Sequence, residues 1–401
     1  MNAGTLAALA VKHFEGAIAE EIYLKTGYDM TKPTIFYGEI NERCNIKCRY
    51  CAYWRLPKYV TEMTIEEWKR GLVSIKDFVG KFSINFSGGE GFLKPGFLDL
   101  IAWCTEKGIP AGLTTNGTAL TQKNAEKLVA ARPMNLNISI DSAKAEVNDY
   151  QRGYKGLLEK VTKGIKYVVA ERERQGASFP IIIKPAVTSL NFRDLPELLE
   201  WTKAIGATCL YPQPLSKWTP ETYDELWIKE KDLPELDAMV QRLIDLKRAG
   251  EPIMTPEPVL RLMSDHFRDK KAPPDSMPCR VGLRNCFILA NGDVYMCQRG
   301  FPSVGNLKTQ TLREIWYSEK AKEVRKHTTE CERLCLGTCL SPKSLTDKVK
   351  MGLVMLRGSR SPKKVTDPPK SMADPARSVT DLPKSVTDEI EMGLVMSKGS
   401  R

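Results

Sequence analysis

The sequence predicts an α/β protein: a partial (β/α)6 barrel, then a small cysteine-rich domain, then a disordered tail. Three observations carry this reading. Short β-rich runs alternate with amphipathic helical patterns, cysteine density rises sharply beyond Pro278, and the segment 341–401 is built from near-repeats rich in Pro, Ser, Lys and Asp.

The β-rich runs are Ile35 to Ile40, Phe82 to Ser87, Ala111 to Thr115, Leu136 to Ile140, Ile181 to Val187 and Cys209 to Tyr211. Helical periodicity separates them: Ile65 to Phe78 behind a capping box at Thr64 and Glu67, Phe97 to Thr105, Asn124 to Ala131, Gly156 to Glu173 and Leu195 to Ala204. Strand alternating with helix implies parallel strands joined by right-handed crossovers, and six such units in succession make a barrel or partial barrel. Functional groups are then expected where the strands end.

Before the barrel, Leu6 to Ile22 reads as an amphipathic helical cap within 1–32, because Lys12, His13, Glu15, Glu20 and Glu21 interrupt its apolar residues. It has neither the basic start nor the small-residue cleavage site of an export signal. The barrel is placed at 33–232 and a helical connector at 233–278, with its helix at Leu236 to Ala249. A cysteine-rich domain follows at 279–340 and a low-complexity tail at 341–401. In the tail, Pro342 to Asp347 returns as Pro362 to Asp367 and Pro383 to Asp388, and MGLVM at Met351 to Met355 returns at Met392 to Met396. A segment so poor in apolar residues cannot bury enough surface to offset its conformational entropy, and it is assigned no chemistry.

Across 401 residues, 60 Lys+Arg stand against 49 Asp+Glu, for a formal charge of +11. The tail holds 12 of the basic and 7 of the acidic residues, which leaves +6 for the rest. With no long basic block, nucleic acid is not an expected partner, whereas an anionic small substrate is compatible. No apolar run is long enough to span a membrane, so a cytoplasmic location is expected. In that reducing compartment 11 cysteines point to bound metal rather than to disulfides.

Directly after the first strand come Cys44, Cys48 and Cys51, spaced C-x3-C-x2-C, with no fourth cysteine before Cys104. Three thiolates can hold three irons of a cubane and leave the fourth iron open for a chelating ligand. A zinc site usually pairs two short cysteine hairpins, and here only one exists locally. This motif resembles the signature of the radical S-adenosylmethionine (SAM) superfamily, with Tyr50 in the aromatic position before the last cysteine. The resemblance implies a 4Fe-4S cluster whose open iron binds SAM. The reduced cluster then cleaves SAM to a 5'-deoxyadenosyl radical that abstracts hydrogen from substrate.

Other strand ends are similar to the same family. Gly88, Gly89 and Glu90 resemble its GGE motif, which receives the methionine amino group, and the glycines allow close backbone approach. Thr115, Asn116 and Gly117 resemble its TNG turn, which is also an ordinary Asn-Gly turn. The resemblance implies that Ser139 touches the ribose and Arg152 the carboxylate of SAM, and that Val187 and Asn191 shape the adenine and ribose pocket. A guanidinium matches a carboxylate geometrically.

In the last domain, Cys279, Cys286, Cys297, Cys331, Cys335 and Cys339 fall within 61 residues, and the turn Asn291, Gly292, Asp293 folds a hairpin between apolar runs. The pattern resembles the SPASM domain and its shorter twitch form, which hold auxiliary iron-sulfur clusters. It is more compressed than the full SPASM spacing. One auxiliary cluster is predicted, on Cys279, Cys297, Cys331 and Cys335, with zinc as the alternative metal. Cys286 and Cys339 are left as spare ligands or, for Cys286, a hydrogen donor near substrate. Cys104 and Cys209 read as small core residues.

The resemblance implies a net oxidation of a small or medium organic molecule in cofactor, tetrapyrrole or natural-product biosynthesis. The auxiliary cluster would accept the electron, and a flavodoxin- or ferredoxin-type protein would be the reductant. A ribosomal peptide is the alternative substrate. About 34 residues precede the first strand, short for the leader-recognition domain many peptide-modifying members carry. A non-catalytic iron-sulfur electron carrier is the alternative of another class, and the open iron argues against it. No acid, base or substrate-binding residue is assigned; His13, His266 and His327 stand in no catalytic constellation.

Overall fold

Ile35–Asn41 (β1) alternates Tyr37, Glu39 and Asn41 with Phe36, Gly38 and Ile40, and the second set turns toward the surrounding helices. In the computed structural model, which describes residues 3–55, 61–217, 224–274, 279–298 and 300–336, β1 is an interior strand of a nine-stranded sheet. The described residues lie in one compact unit. On one side of β1 run Ile84–Gly88 (β2), Ala111–Thr115 (β3), Leu136–Ile138 (β4) and Ile181–Ile183 (β5), all parallel. A run expected as a single strand from Ile181 to Val187 is broken at Pro185, which has no N–H to give the ladder. Its second part, Ala186–Val187 (β6), leaves the sheet. Cys209–Leu210 (β7) completes the six-stranded half-barrel beside β5, and Gln213–Pro214 (β8) pairs with β6 in a separate two-stranded sheet.

The crossovers are helical. The N-terminal helix Ala3–Thr26 (α1) precedes β1, and Ile65–Val79 (α2), Phe97–Glu106 (α3) and Gln122–Ala130 (α4) link the first four strands. Ala145–Arg152 (α5), Leu157–Arg174 (α6) and Leu195–Ala204 (α7) follow, then Leu233–Arg248 (α8). The capping box of α2 forms on both sides: Thr64 Oγ1 accepts from Glu67 N at 3.2 Å and Glu67 Oε2 accepts from Thr64 N at 2.7 Å, an arrangement worth about 1 kcal/mol. The α2 face buries Trp68 edge-on against Phe86, with ring centres 5.4 Å apart. Gly38 makes room for this, since a Cβ there would sit 2.8 Å from the Phe86 ring.

The segment expected as a connector contributes to the barrel. Leu210 bridges Ile253 in parallel, and Met254 packs with Ile182, Cys209 and Tyr211. The cysteine-rich region also joins the main sheet. Asn285–Ile288 (β9) pairs in parallel with β1 on its free edge, then turns back through Asp293–Tyr295 (β10) to Gly305–Asn306 (β11). Val281–Arg284 (α9), Leu312–Trp316 (α10) and Glu319–Thr329 (α11) complete this part. Cys339 and the tail 341–401 lie outside the described residues.

Candidate functional site

Because the strands are parallel and in register, one face of the half-barrel is read rung by rung. Glu39 pairs with Ser87, Thr114 with Asn137, Asn137 with Ile182, and Ile182 with Cys209. These residues line the concave side, opposite the apolar set that meets the helices. Gly112 lets the polar girdle close beneath them: a Cβ there would lie 2.1 Å from Asn135 Oδ1. Asn85 donates to Asn135 at 3.3 Å, Thr114 donates to Asn85 at 3.2 Å and Asn137 donates to Thr114 at 3.1 Å.

At the C-terminal end of β1 the chain turns into the first cysteine loop. Cys48 is buried, and burial pushes its thiol up to about 12, with Arg152 pulling the other way and Cys51, Asp141 and Cys44 adding to the rise. The loop is closed by Cys51 N donating to Cys48 O at 3.1 Å and Arg49 N donating to Gln151 O at 2.9 Å. Gly153 caps α5 in the left-handed region at φ +62°, where a Cβ would strike Lys47 O at 2.2 Å. The Arg152-Gly153 pair thus seats α5 against the cysteine loop.

The Gly88-Gly89-Glu90 segment runs alongside. Gly89 approaches so closely that a Cβ would lie 2.1 Å from Arg43 O. Gly89 N donates to Asn41 O at 2.9 Å and Glu90 N to Arg43 O at 2.7 Å. The Glu90 carboxylate is wholly buried and occupied by protein: it accepts from Thr115 Oγ1 at 2.8 Å, Asn116 N at 2.8 Å and Phe92 N at 3.2 Å. Burial raises its pKa, and those three donors oppose the rise. Glu90 thus ties the second strand end to the third. Asn116 works similarly. Its Oδ1 accepts from Thr118 N at 2.9 Å, and its Nδ2 donates to Asn45 Oδ1 at 2.9 Å and to Cys44 Sγ at 3.7 Å.

Tyr50 donates to Asp141 Oδ2 at 2.8 Å and accepts from Arg152, whose guanidinium stands 3.9 Å from the same carboxylate oxygen. Burial pushes the Tyr50 hydroxyl well above its usual range and raises Asp141, which Arg152 partly offsets. Ser139 is half-buried at the end of β4, and its backbone N donates to Thr115 O at 3.0 Å. Val187 is core, and Asn191 is locked by its own bonds to Asp141 O at 2.7 Å and Ala186 O at 2.8 Å.

This end of the barrel fits a SAM-binding cluster. Three cysteines share one loop, and the glycine pair leaves no room for side chains. Two buried polar atoms, Arg152 Nε and Asn41 Oδ1, lack partners among the described residues. A free guanidinium N–H and a free amide oxygen are what a carboxylate and an ammonium group require.

The second cysteine set also gathers. Burial raises the Cys279 thiol, the Val281 N–H lowers it, and Cys331 and Cys335 raise it further. Cys297 is buried in a small cluster with Val281 and Phe287, which Cys279 joins. Gly282 brings α9 against α11, since a Cβ there would sit 2.1 Å from Thr328 Oγ1. Cys331 N then donates to Thr328 O at 3.3 Å. Among the described residues no three His, Cys, Asp or Glu side chains converge as one ion would require; a cubane holds its ligands apart at its corners.

Cys286 belongs to neither role first open to it. It is fully buried, opposite Phe36 and in the same core as Ile288, on the helix side of β9, and burial drives its pKa up. It is a core residue, since strand alternation turns it away from the concave face. Cys104 and Cys209 are both buried core residues as expected, Cys209 in a separate small cluster with Ile182, Tyr211 and Met254.

Sequence reasoning missed Glu39. This carboxylate, 5 % exposed, lies on the concave face of β1 and accepts from Tyr53 OH at 3.0 Å. A Cβ on Gly88 would lie 2.6 Å from Glu39 Cγ. The alternation of Tyr37, Glu39 and Asn41 was the available signal. Lys184, whose ammonium sits 5.4 Å from the Tyr211 ring centre, was likewise overlooked.

Fold, cysteine loop and second cysteine set define an iron-sulfur enzyme that works at the mouth of a half-barrel. The family model of the Radical SAM superfamily matches residues 39–188, and that of the SPASM iron-sulfur cluster-binding domain matches residues 279–340. The chain belongs to the radical SAM superfamily and carries a C-terminal SPASM domain. Its cofactors are a SAM-binding 4Fe-4S cluster, SAM and auxiliary iron-sulfur.

The chain is 27% identical over 310 residues to the AdoMet-dependent heme synthase of Methanosarcina barkeri, covering 73% of this chain and 84% of that protein. It is 26% identical to the mycofactocin maturase MftC of Mycobacterium tuberculosis, over 66% of this chain and 64% of the relative. Among solved structures, Streptococcus suis SuiB bound to S-adenosylmethionine superposes with TM-score 0.59 at 19% identity, over 76% of this chain and 70% of that one. That likeness speaks for the fold alone. No helix among the described residues is long and apolar enough to cross a membrane.

Proposed function

We propose that this enzyme carries out a net oxidation of a small or medium, carboxylate-bearing organic molecule, with a porphyrin-type macrocycle as the leading candidate. The observation that carries the reading is the join between the two cysteine regions. The hairpin that bears Cys297 hydrogen-bonds to β1 itself, and across that join Tyr37 stacks on Phe287 with ring centres 5.1 Å apart and planes at 12°. A substrate in the concave lumen is thereby walled on one side by the auxiliary region, where an electron acceptor is useful.

When bound, SAM on the reduced cluster supplies a hydrogen-abstracting radical, and the auxiliary cluster supplies an electron sink. The chain's own part is binding, orientation and exclusion of water. Cys44, Cys48 and Cys51 hold the first cluster and Cys279, Cys297, Cys331 and Cys335 the second. Gly88 and Gly89 would admit the methionyl group, Arg152 and Ser139 would meet its carboxylate and ribose, and the Asn85–Asn135–Asn137 girdle would floor the site. Lys184 offers a cation to a substrate carboxylate, and Ile182, Tyr211 and Met254 offer an apolar wall to a macrocycle. The heme synthase relative supports a tetrapyrrole. A ribosomal peptide is the second reading, favoured by the mycofactocin maturase relative. A flavodoxin- or ferredoxin-type reductant in the cytoplasm completes the proposal.

The test is 5'-deoxyadenosine formation by the anaerobically reconstituted, reduced protein. Fe-coproporphyrin III is added as a probe, and host-cell extract is added before and after protease treatment. Stimulation by the porphyrin, or by extract that survives protease, supports the reading. Stimulation lost with protease replaces it by peptide maturation, and no product under any condition overturns both.

A further inference from the structure

We infer that the exposed cations Lys47 and Arg55, set over the indole of Trp54 on the cysteine loop, form the docking surface for an acidic one-electron carrier protein of the flavodoxin or ferredoxin class, and that Trp54 is where its electron enters. This rests on the reductant named in the proposed function and is independent of the substrate.

From Arg43 to Arg55 the chain carries four cations, Arg43, Lys47, Arg49 and Arg55, and no Asp or Glu. Two of them turn to the protein. The Arg49 guanidinium lies 3.8 Å from the Tyr150 ring centre and 3.7 Å from Glu225 Oε2, and Arg43 Nη2 donates to Leu93 O at 3.5 Å. Lys47 and Arg55 are exposed and share one ring: the Lys47 ammonium is 5.8 Å and the Arg55 guanidinium 4.7 Å from the Trp54 ring centre. Their backbone is fixed, since Gly153 abuts Lys47 O and Arg55 N donates to Ala52 O at 2.9 Å. Two cations on one indole repel each other, and each gains little from the ring while water competes. A carboxylate-rich partner surface relieves that repulsion and is steered toward it. Trp and Arg are also the side chains that most often anchor protein contacts.

The indole is the bridge inward. Half-buried, it donates its N–H to Cys48 O at 2.9 Å, and Cys48 is the most enclosed of the three loop thiols, at 6 % exposed. The preceding residue, Tyr53, reaches Glu39 on the concave face instead. Adjacent residues thus divide the loop between the lumen, where substrate is expected, and a cationic surface that a protein can cover. One electron leaves the carrier, which is oxidised, and reaches the cluster held by Cys44, Cys48 and Cys51, which is reduced; no bond forms or breaks.

The probes are a recombinant acidic bacterial flavodoxin and an acidic 2Fe-2S ferredoxin, each mixed with the full-length reconstituted protein. Calorimetry measures Kd between about 50 and about 300 mM salt, and 5'-deoxyadenosine formation is driven by reduced carrier or by dithionite, with no substrate added. At least one carrier is expected to bind, with affinity falling at least tenfold across that salt range. Lys47→Glu combined with Arg55→Glu should weaken binding at low salt at least tenfold and slow the carrier-driven rate, while iron content and the dithionite-driven rate stay unchanged. Trp54→Phe keeps a ring beneath the cations but lacks the N–H, so binding should hold while the rate at saturating carrier falls relative to the dithionite-driven one. An unchanged ratio overturns the role of Trp54 as the entry point. Native affinity indifferent to salt, or a double variant that binds and is reduced like the native protein, overturns the docking surface and leaves the reductant class standing. If neither carrier binds, both fall. Should the charge-reversed chain fail to load iron, Lys47→Gln combined with Arg55→Gln decides by the same binding measurement. No substrate enters, so failure here leaves the proposed oxidation standing, and the reverse also holds.

Discussion

Replacing Gly89 by Ala adds one carbon and should disable the SAM end of the barrel. The new Cβ would lie 2.1 Å from Arg43 O and 2.8 Å from Glu42 C, both backbone atoms of the stretch that leads into Cys44. Backbone cannot swing aside as a side-chain tip can. The loop must retreat by about 0.9 Å merely to reach 3.0 Å, the shortest separation real Cβ atoms show. That retreat pulls on Gly89 N–Asn41 O at 2.9 Å and Glu90 N–Arg43 O at 2.7 Å. Each bond is worth about 0.5–1.5 kcal/mol net, and overpacking of this kind costs about 1–3 kcal/mol, so a loss of about 2–6 kcal/mol is expected. Urea unfolding of the apo chain measures it, and SAM binding by the reconstituted protein should weaken at least tenfold. Gly71→Ala is the control. There the Cβ meets Leu307 Cδ2 at 2.6 Å, a side-chain end that can rotate, within a helix that favours Ala. If Gly89→Ala unfolds at the native midpoint and binds SAM normally, the argument from backbone contact is wrong.

Other perturbations separate residues that look alike in sequence. Cys297→Ser should lower iron content per chain to that of the first cluster alone. Cys286→Ser should leave iron unchanged and cost about 1–3 kcal/mol for burying a hydroxyl in an apolar core. Iron analysis paired with denaturation distinguishes the two. Asn116→Asp keeps an acceptor for Thr118 but replaces the N–H facing Cys44 Sγ with a negative oxygen; the SAM-binding cluster should show a lower midpoint potential, and an unaltered one refutes the contact. Glu90 has a folded pKa raised above 4.5 chiefly by burial. Its stabilising contribution is therefore complete below the unfolded value and is lost as pH rises through the folded one. Relative to Glu90→Gln, the native chain should be most stable near pH 4 and lose that advantage toward neutrality, as read from chemical denaturation at each pH.

Periodicity made the half-barrel legible: strand-helix alternation and the Thr64-Glu67 cap are local signals, and β1 to β5, β7 and α2 formed where they pointed. The join of β9 to β1 was not legible. Parallel pairing between Ile35 and Asn285 leaves no mark in either segment, whose apolar runs would serve equally well for a separate hairpin. Cys286 and Cys297 show the same limit from another side. Spacing alone could not sort them, yet alternation along Asn285, Cys286, Phe287 and Ile288 assigns Cys286 to the Ile288 face once β9 is known to be covered by helices there. Pro185 was a visible break, and weighing it would have divided the fifth run correctly. Glu90 and Asn116 were recognised by motif, but the motif did not tell that their side chains bond mainly to the protein.

The position of β1 explains why so much of the site hangs on seven residues. Its concave side chains reach three partners in order along the strand. Tyr37 stacks on Phe287 of the auxiliary hairpin. Glu39 takes the hydroxyl of Tyr53 from the cysteine loop and lies over Gly88, and Asn41 Nδ2 donates to Glu90 O at 3.0 Å. A strand buried on both faces and paired on both edges cannot slip by one residue without turning all three contacts inside out. The distance between the two cysteine regions is thus set by hydrogen-bonded sheet rather than by a linker. On the proposed function, electron transfer between a substrate in the lumen and the auxiliary cluster would cross a span set by the pairing of β1 with β9.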